Sequence, residues 1–240
     1  LTLPSYLTLP PGSTGKGLPA IIMPHGGPAS RDEWGFDWLV QFYVARGYAV
    51  LQPNYRGSTG FGAEWYRQNG WKSWRTAIGD VNDAGRWLTA QGIAAPGKLA
   101  IVGWSYGGYA ALQSGVLDPG LYKAIVAIAP VTDLDRLRAD SADYSSSALV
   151  DSFIGRGSHV EDGSPARHAD KFVAPVLMFH ADHDLNVNVG ESRLMRDKLV
   201  AAGKPVDYVE VPGLDHQLLD DKVRADMLER IDRMLRANLH

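Results

Sequence analysis

The residues Gly103-Trp104-Ser105-Tyr106-Gly107 match the pattern G-x-S-x-G. The apolar run KLAIV precedes the pattern and the small-residue run YAALQSGV follows it, which predicts a buried strand followed by a helix. At such a turn the serine takes strained backbone angles, so the residues two positions away on either side must be small. The turn exposes the hydroxyl, and the free N–H groups of the following helix point toward a reacting oxygen. We therefore predict that Ser105 is a nucleophile and does not merely cap a helix.

A serine hydroxyl becomes an effective nucleophile when a histidine takes its proton and a carboxylate holds that histidine in the right tautomer. In α/β hydrolases the three residues follow one another along the chain in the order Ser, Asp or Glu, His. His216 lies five residues beyond Val211, on the segment after the last apolar run, and is predicted to be the base. His159 and His168 fall in an irregular segment, where we expect surface or pocket residues.

The acid is expected on the segment after the preceding apolar run, where ADHDLNV offers Asp182 and Asp184. Asp133, which follows an earlier run, is a rival that the topology allows. Asp215 is adjacent to His216 and would point away from it if the pair is extended. Position along the chain favours Asp184 over Asp182 and Asp133.

The negative charge that develops on an attacked carbonyl oxygen needs two hydrogen-bond donors. The first is expected to be the backbone N–H of Tyr106, directly after the nucleophile. The second is expected from the segment IIMPHGGPAS, in which Gly26 and Gly27 follow an early strand. Glycines at this place let the backbone approach a substrate closely, as in the HGG motifs of lipases.

Short apolar runs rich in β-branched residues alternate with segments of helical character along the chain. The predicted strands are LPAIIM (18–23), YAVLQP (48–53), KLAIVG (98–103), KAIVAIA (123–129), APVLMFH (174–180) and VDYVEV (206–211). The predicted helices cover residues 35–46, 76–91, 106–116, 189–202 and 221–239, and Gly47 and Gly92 end the first two. We predict a single α/β domain over residues 1–240: a doubly wound, mostly parallel sheet with helices on both faces. The segment 133–170 is predicted to be an irregular excursion that contributes to a substrate pocket.

The composition restricts the classes of function. The 240 residues are 45% hydrophobic and 21% charged, as in an ordinary globular protein. A net charge of −3 without a cluster of Lys and Arg argues against nucleic-acid binding. No apolar run is long enough for a transmembrane helix, and LTLPSYLTLPPG lacks the features of a signal peptide. The sequence does not distinguish a cytoplasmic from a periplasmic location. The chain begins on Leu1 in place of methionine, so we expect a segment upstream of it.

Two further motifs are open to other interpretations. HADHD (180–184) brings two imidazoles and two carboxylates together, as a metal site would. Strong metal sites take ligands from several elements, and the segment predicted to carry the acid already explains this run. We therefore predict no metal and no cofactor.

RGSTGFG (56–62) lacks the G-K-[ST] ending of a phosphate-binding loop. We predict a tight loop near the active site with Arg56 buried in an ion pair.

Taken together, these motifs resemble the catalytic domain of the prolyl oligopeptidase family of serine peptidases, most closely its acylaminoacyl-peptidase and dipeptidyl-aminopeptidase-like bacterial branch. The resemblance implies an α/β-hydrolase fold, Ser105 as nucleophile, Asp184 as acid and His216 as base. It implies the amides of Gly27 and Tyr106 as donors to the oxyanion. The segments that carry it occur in family order: HGGPASRDEWGF (25–36), RGYAVLQPNYRGSTGFG (46–62), GWSYGGYAAL (103–112), SPARHADKFVAPVLMFH (164–180) and GLDH (213–216).

The chain departs from the family pattern in two respects. Ala181 stands where the family motif H-G-x-x-D-x-x-V, here residues 180–187, usually has glycine. Family members normally carry a β-propeller before the hydrolase domain, and none is predicted within residues 1–240. No pair of glutamates that would anchor a free substrate N-terminus is visible in the sequence.

The predicted function is hydrolysis of short peptide or acyl-amino-acid bonds and small esters through an acyl-enzyme. The alternative is a carboxylesterase with the same triad and little peptidase activity. A third hypothesis is a non-catalytic binding protein of the same fold. The presence of all three predicted triad residues argues against it. The expected partner is a small molecule or short peptide, with no nucleic acid and no membrane, and a homo-oligomer is left open.

Overall fold

One sheet organises the chain. The computed structural model describes residues 1–68 and 70–240, and within them seven strands form this sheet. The strands are β1 (Ser5–Thr8), β2 (Leu18–Ile22), β3 (Ala49–Pro53), β4 (Ala94–Trp104), β5 (Ala124–Ile128), β6 (Val176–Ala181) and β7 (Val206–Val211). Their order across the sheet is β1-β3-β2-β4-β5-β6-β7. Neighbouring strands from β3 to β7 are parallel, whereas β1 pairs with β3 antiparallel.

The central strands are buried on both faces, which explains their continuous apolar sequence. All five residues of β5 are buried between β4 and β6. Because successive side chains point to opposite faces, Ile125 and Ala127 belong to one hydrophobic core, and Ala124, Val126 and Ile128 belong to the other.

Helices cover both faces of the sheet. They are α1 (Trp38–Ala45), α2 (Ala63–Tyr66), α3 (Trp74–Ala90), α4 (Tyr106–Leu117), α5 (Leu134–Asp140), α6 (Ser147–Ile154), α7 (Ser158–Asp162), α8 (Gly190–Ala201) and α9 (Asp221–Leu239). Buried residues of α3, α4 and α8 pack into the first core, and those of α1 and α9 pack into the second. The predicted doubly wound, mostly parallel sheet with helices on both faces is confirmed.

The structure differs from the sequence prediction in two regions. The segment 133–170 is largely helical, since it contains α5, α6, α7 and a 3-10 helix over Pro165–Lys171, so the prediction of an irregular excursion was wrong. The strand β1 was not predicted. No helix within the described residues has the length and apolar character that crossing a membrane requires.

Candidate active site

The turn between β4 and α4 has the strained geometry that the sequence predicts. Ser105 has φ 60° and ψ −122°, in a region that side-chain-bearing residues rarely adopt. A Cβ at Gly103 would collide with the carbonyl group of Gly107, and a Cβ at Gly107 would collide with the carbonyl oxygen of Pro24. Positions 103 and 107 therefore have no room for a side chain, and the predicted strained turn is confirmed.

His216 and Asp184 are in direct contact. His216 Nδ1 lies 2.6 Å from Asp184 Oδ2, and the side chain of Asp184 is fully buried. The amides of Asn186 and Val187 donate to the other carboxylate oxygen, Oδ1. Burial alone would raise the pKa of Asp184, but the hydrogen bonds from His180, His216 and the Val187 amide outweigh it and hold that pKa well below its usual value. The carboxylate next to His216 is therefore ionised at neutral pH.

The other two aspartates that the sequence offered as the acid have different partners. Asp182 accepts a hydrogen bond from the amide of Gly213 through Oδ1. Asp133 caps the N-terminus of α5 and accepts two hydrogen bonds from the guanidinium of Arg167, at 2.7 and 3.0 Å. Of the three candidates, Asp184 is the one that contacts His216.

Ser105 and His216 line one cavity of about 490 Å³, together with Gly26 and Gly27. The segment that carries His216 is joined to the turn, because the indole Nε1 of Trp104 donates to the backbone carbonyl of His216 at 3.0 Å. An imidazole, a serine and a glycine-rich backbone therefore line the same cavity.

The segment with the two glycines passes directly over the turn. A Cβ added at Gly26 would lie 3.4 Å from the carbonyl oxygen of Trp104 and 3.5 Å from Ser105 Cβ. Gly27 has φ 118°, a conformation that favours glycine. The structure thus brings the predicted oxyanion donors, Gly27 and Tyr106, to the same cavity as Ser105.

The model of the Prolyl oligopeptidase family matches residues 34–240. The chain belongs to the prolyl oligopeptidase family. The resemblance inferred from the motifs is thereby confirmed.

Similar proteins agree with this membership. Dipeptidyl aminopeptidase BIII of Pseudoxanthomonas mexicana is 33% identical over 231 residues, which cover 90% of this chain and 33% of that protein. The acylamino-acid-releasing enzyme of Sus scrofa is 26% identical over 220 residues, which cover 87% of this chain and 30% of that protein. A puromycin-hydrolyzing peptidase of Mycobacterium tuberculosis matches in structure with a TM-score of 0.90 at 27% identity, covering 99% of this chain and 37% of that one. The α/β-hydrolase fold is confirmed, and the chain spans about a third of the length of these curated relatives.

His25, which directly precedes Gly26, makes contacts that were not predicted from the sequence. Its Nδ1 lies 2.7 Å from the Gly26 carbonyl oxygen, and its ring stacks on Tyr55 at 4.3 Å between centroids. A carbonyl oxygen can only accept, so Nδ1 carries the proton. The Gly26 carbonyl and the Gly27 N–H belong to one peptide plane, so a hydrogen bond to the carbonyl also fixes the direction of the N–H. Nothing in the sequence around His25 indicated a hydrogen bond to the Gly26 carbonyl.

The environment of His25 makes the stability of the protein pH-dependent. Burial lowers the pKa of His25 to about 4, although the hydrogen bond to Gly26 opposes the shift. An unfolded histidine titrates near pH 6.5, so the stability contributed by the neutral side chain is complete above about pH 6.5 and is lost as the pH falls toward 4. Between pH 7 and pH 5 we expect the unfolding free energy of the wild type to fall by about 2 kcal/mol more than that of His25→Gln.

Urea unfolding of both proteins at the two pH values measures this difference. Other titrating groups, such as Glu191, whose pKa burial raises to about 7, are common to both proteins and cancel in the comparison. An equal loss of stability in the two proteins would contradict the assignment of a buried, neutral His25.

The run HADHD does not form a cluster of ligands. Asp184 contacts His216, Asp182 accepts from Gly213, and His183 is exposed. Within residues 1–68 and 70–240, no group of three or more His, Cys, Asp or Glu side chains is arranged to hold a metal ion.

We expect hydrolysis to be independent of added metal, because His216 would supply the base that a metal site otherwise provides. Dialysis against a chelator should leave kcat/KM for a short ester unchanged, and the measurement is the rate before dialysis, after dialysis and after return of Zn²⁺ or Ca²⁺. A rate that falls on dialysis and returns with the metal would reopen the metal interpretation of HADHD.

The segment RGSTGFG is a tight loop with an ion pair, as predicted. The guanidinium of Arg56 makes two hydrogen bonds to the carboxylate of Asp80, at 2.8 and 2.6 Å. The Asp80 side chain is buried, whereas that of Arg56 is 36% exposed, so the ion pair is confirmed but the full burial of Arg56 is not.

Proposed function

We propose that this chain hydrolyses short peptide bonds, acyl-amino-acid bonds and small esters through an acyl-enzyme on Ser105. The observation that carries the proposal is the 2.6 Å hydrogen bond between His216 Nδ1 and Asp184 Oδ2 at the cavity that also holds Ser105. An imidazole whose Nδ1–H is bound by a carboxylate presents Nε2 as a proton acceptor. Membership of the prolyl oligopeptidase family supports the same chemistry.

In the proposed reaction, Ser105 Oγ attacks the substrate carbonyl carbon while His216 Nε2 takes the hydroxyl proton. The carbonyl electron pair moves onto oxygen, where the amides of Gly27 and Tyr106 stabilise the negative charge. The C–N or C–O bond then breaks, His216 gives its proton to the leaving group, and Ser105 remains acylated. Water attacks the acyl-enzyme, its proton passes to His216 and then to Ser105 Oγ, and the carboxylic acid leaves.

The lining of the cavity supports an apolar residue or acyl group next to the bond that is cleaved. Trp71, Val131, Leu137 and Val187 contribute apolar side chains to the lining of the cavity that also holds Ser105. A volume of about 490 Å³ is within the range of sites for small molecules and short peptides. The position of Leu137 on α5 means that the segment 133–170 would help to define specificity.

Amide bonds distinguish a peptidase from a carboxylesterase. An activated ester releases a nitrophenolate that needs no proton, whereas an amide nitrogen must receive one from His216 as it leaves. The relatives named as a dipeptidyl aminopeptidase and an acylamino-acid-releasing enzyme favour amide substrates for this chain. We therefore expect fast cleavage of short-chain esters and slower, measurable cleavage of aminoacyl and short-peptide amides with apolar side chains.

The test is kcat/KM for matched amides with free and with acetylated N-termini, beside the corresponding esters. We expect acetylated amides to be cleaved, because none of the described residues that line the cavity carries a carboxylate that would bind a free amine. The absence of amide cleavage would leave a carboxylesterase, and a strict requirement for a free amine would identify an aminopeptidase. A fluorophosphonate probe should label the wild-type protein, and the Ser105→Ala variant serves as the unlabelled control. If the wild type is not labelled either, the hydrolase proposal is wrong.

A further inference from the structure

His180 is a fully buried histidine that the proposed reaction does not use. It lies near the end of β6, and its side chain has no exposed surface. Nε2 lies 2.9 Å from the carbonyl oxygen of Val187 and 3.2 Å from Asp184 Oδ2. Nδ1 lies 2.7 Å from the hydroxyl oxygen of Ser192 on α8. The imidazole thus lies between the acid segment and a helix of the scaffold.

The partners of His180 define its tautomer. The Val187 carbonyl oxygen can only accept a hydrogen bond, so Nε2 carries a proton. In the neutral imidazole Nδ1 then accepts, and the Ser192 hydroxyl is its donor. The single Nε2–H therefore lies against the Val187 carbonyl oxygen at 2.9 Å, and Asp184 Oδ2, 3.2 Å from the same nitrogen, is its second neighbouring acceptor.

This contact completes the set of donors around the Asp184 carboxylate. Oδ1 accepts from the amides of Asn186 and Val187, and Oδ2 faces both His216 Nδ1 and His180 Nε2. A fully buried carboxylate is stable as an anion when hydrogen bonds saturate its oxygens. Each Asp184 oxygen thus has two neighbouring donors, and His180 is the donor that belongs to a strand of the sheet.

His180 also holds the segment that carries the acid. The N–H of Val187 donates to Asp184, and the carbonyl of the same residue faces His180. Val187 is therefore held at both ends, and its side chain lines the cavity beside Ser105. A change at His180 would act on the direction of the carboxylate and on the cavity wall through one short segment.

We propose that His180 is a positioning residue, whose Nε2–H, oriented by Ser192, fixes the Asp184 carboxylate against His216 Nδ1. The proposal rests on the proposed function of Asp184 as the acid. Its consequence is specific: loss of the donor at Nε2 lets the carboxylate turn away from His216, so kcat falls, whereas the affinity for substrate changes little.

Two amide substitutions separate the two nitrogens of His180. The side-chain amide of His180→Gln can reach the place of Nε2, whereas the shorter His180→Asn reaches only the place of Nδ1. Both replacements are polar, so both face a similar cost of burial. We expect His180→Asn to lower kcat for an amide substrate by about 10- to 100-fold with KM within about twofold, and His180→Gln to recover most of the loss.

A spectroscopic measurement distinguishes positioning from general support of the fold. A proton on His216 Nδ1 that is hydrogen-bonded to Asp184 at 2.6 Å is expected to give a resonance at low field in the proton NMR spectrum, and its shift should follow the strength of the hydrogen bond. We expect this resonance to move upfield or vanish in His180→Asn and to stay close to the wild-type position in His180→Gln. Equal kcat values in the two variants, or an unchanged resonance in His180→Asn, would overturn the proposal.

The controls keep this proposal separate from the proposed function. His183→Asn makes the same change on an exposed side chain of the same segment and should leave kcat and the resonance unchanged. Ser105→Ala reports on the nucleophile in the same assay. If Ser105→Ala retains wild-type activity, the proposed function fails. If Ser105→Ala is inactive while His180→Asn retains wild-type kcat, only the role of His180 is wrong.

Discussion

Alanine in place of Ser105 is expected to lower kcat for both amide and ester hydrolysis by about 10³-fold or more. His216→Ala should cause a loss of similar size, because the hydroxyl proton then has no acceptor. The double variant should be almost as active as either single variant, since the two side chains act in one proton transfer and their effects are not additive. Any activity that remains would come from the oxyanion donors and substrate binding.

The measurement needs steady-state kinetics and a check of the fold. Alanine and serine meet the same positive φ at position 105, so Ser105→Ala should melt within a few degrees of the wild type. The stability of His216→Ala matters more, because its backbone carbonyl accepts from Trp104 and its ring contacts Asp184. If the two single losses multiply in the double variant, Ser105 and His216 do not act as a unit and the proposed mechanism is wrong.

The parts of the fold that the sequence predicted are those whose signal is local and repeated. The segment 206–211 was predicted with the bounds that β7 has, and 221–239 with the bounds that α9 has. In α9, buried Met227, Ile231 and Leu235 recur every four residues, which is the pattern of a helix with one face on the core. Such periodicity needs no knowledge of distant contacts.

The parts that were missed depend on distant partners. The strand β1 has four residues, none of them fully buried, and its hydrogen bonds go to β3 more than 40 positions away. The helix α7 has five residues, and its neighbourhood is held by Trp74 Nε1 donating to the His159 carbonyl and by Gln113 Nε2 donating to the Asp162 carbonyl. Neither contact can be inferred from the polar sequence around 158–162, so tertiary context decided the structure there.

The candidate site divides in the same way. The order Ser, Asp, His and the glycine pattern were enough to predict the residues that the structure brings together, because each residue has a local signal. Ser105 lies within the glycine pattern, and Asp184 and His216 each follow the end of a predicted strand. The contacts of His25 with the Gly26 peptide and of His180 with Asp184 were not predicted. A histidine in a sequence gives no indication of which ring nitrogen is bound, and the partners of these two rings become evident only when the strands are assembled.

The choice of acid leads to the second large effect. Asp184→Asn is expected to lower kcat by about 10⁴-fold, because an amide at this position offers the wrong hydrogen-bonding group. The oxygen of the asparagine would have to accept from the amides of Asn186 and Val187, which leaves its NH₂ group facing His216 Nδ1 and His180 Nε2. Two donors would then face each other at His216. The imidazole can relieve this by carrying its proton on Nε2, and Nε2 can then no longer accept the proton of Ser105.

Matched asparagine variants of the rival aspartates make the test decisive. Asp182→Asn should keep kcat within about threefold, since an amide oxygen can still accept from Gly213. Asp133→Asn loses the charge that pairs with Arg167, but the asparagine can still cap α5, so we expect a stability loss on the order of 1 kcal/mol and a kcat near that of the wild type. Kinetics and urea unfolding of all three variants would distinguish a catalytic from a structural loss. If Asp184→Asn remains active while Asp133→Asn or Asp182→Asn is inactive but folded, the carboxylate that contacts His216 is not the acid of the reaction.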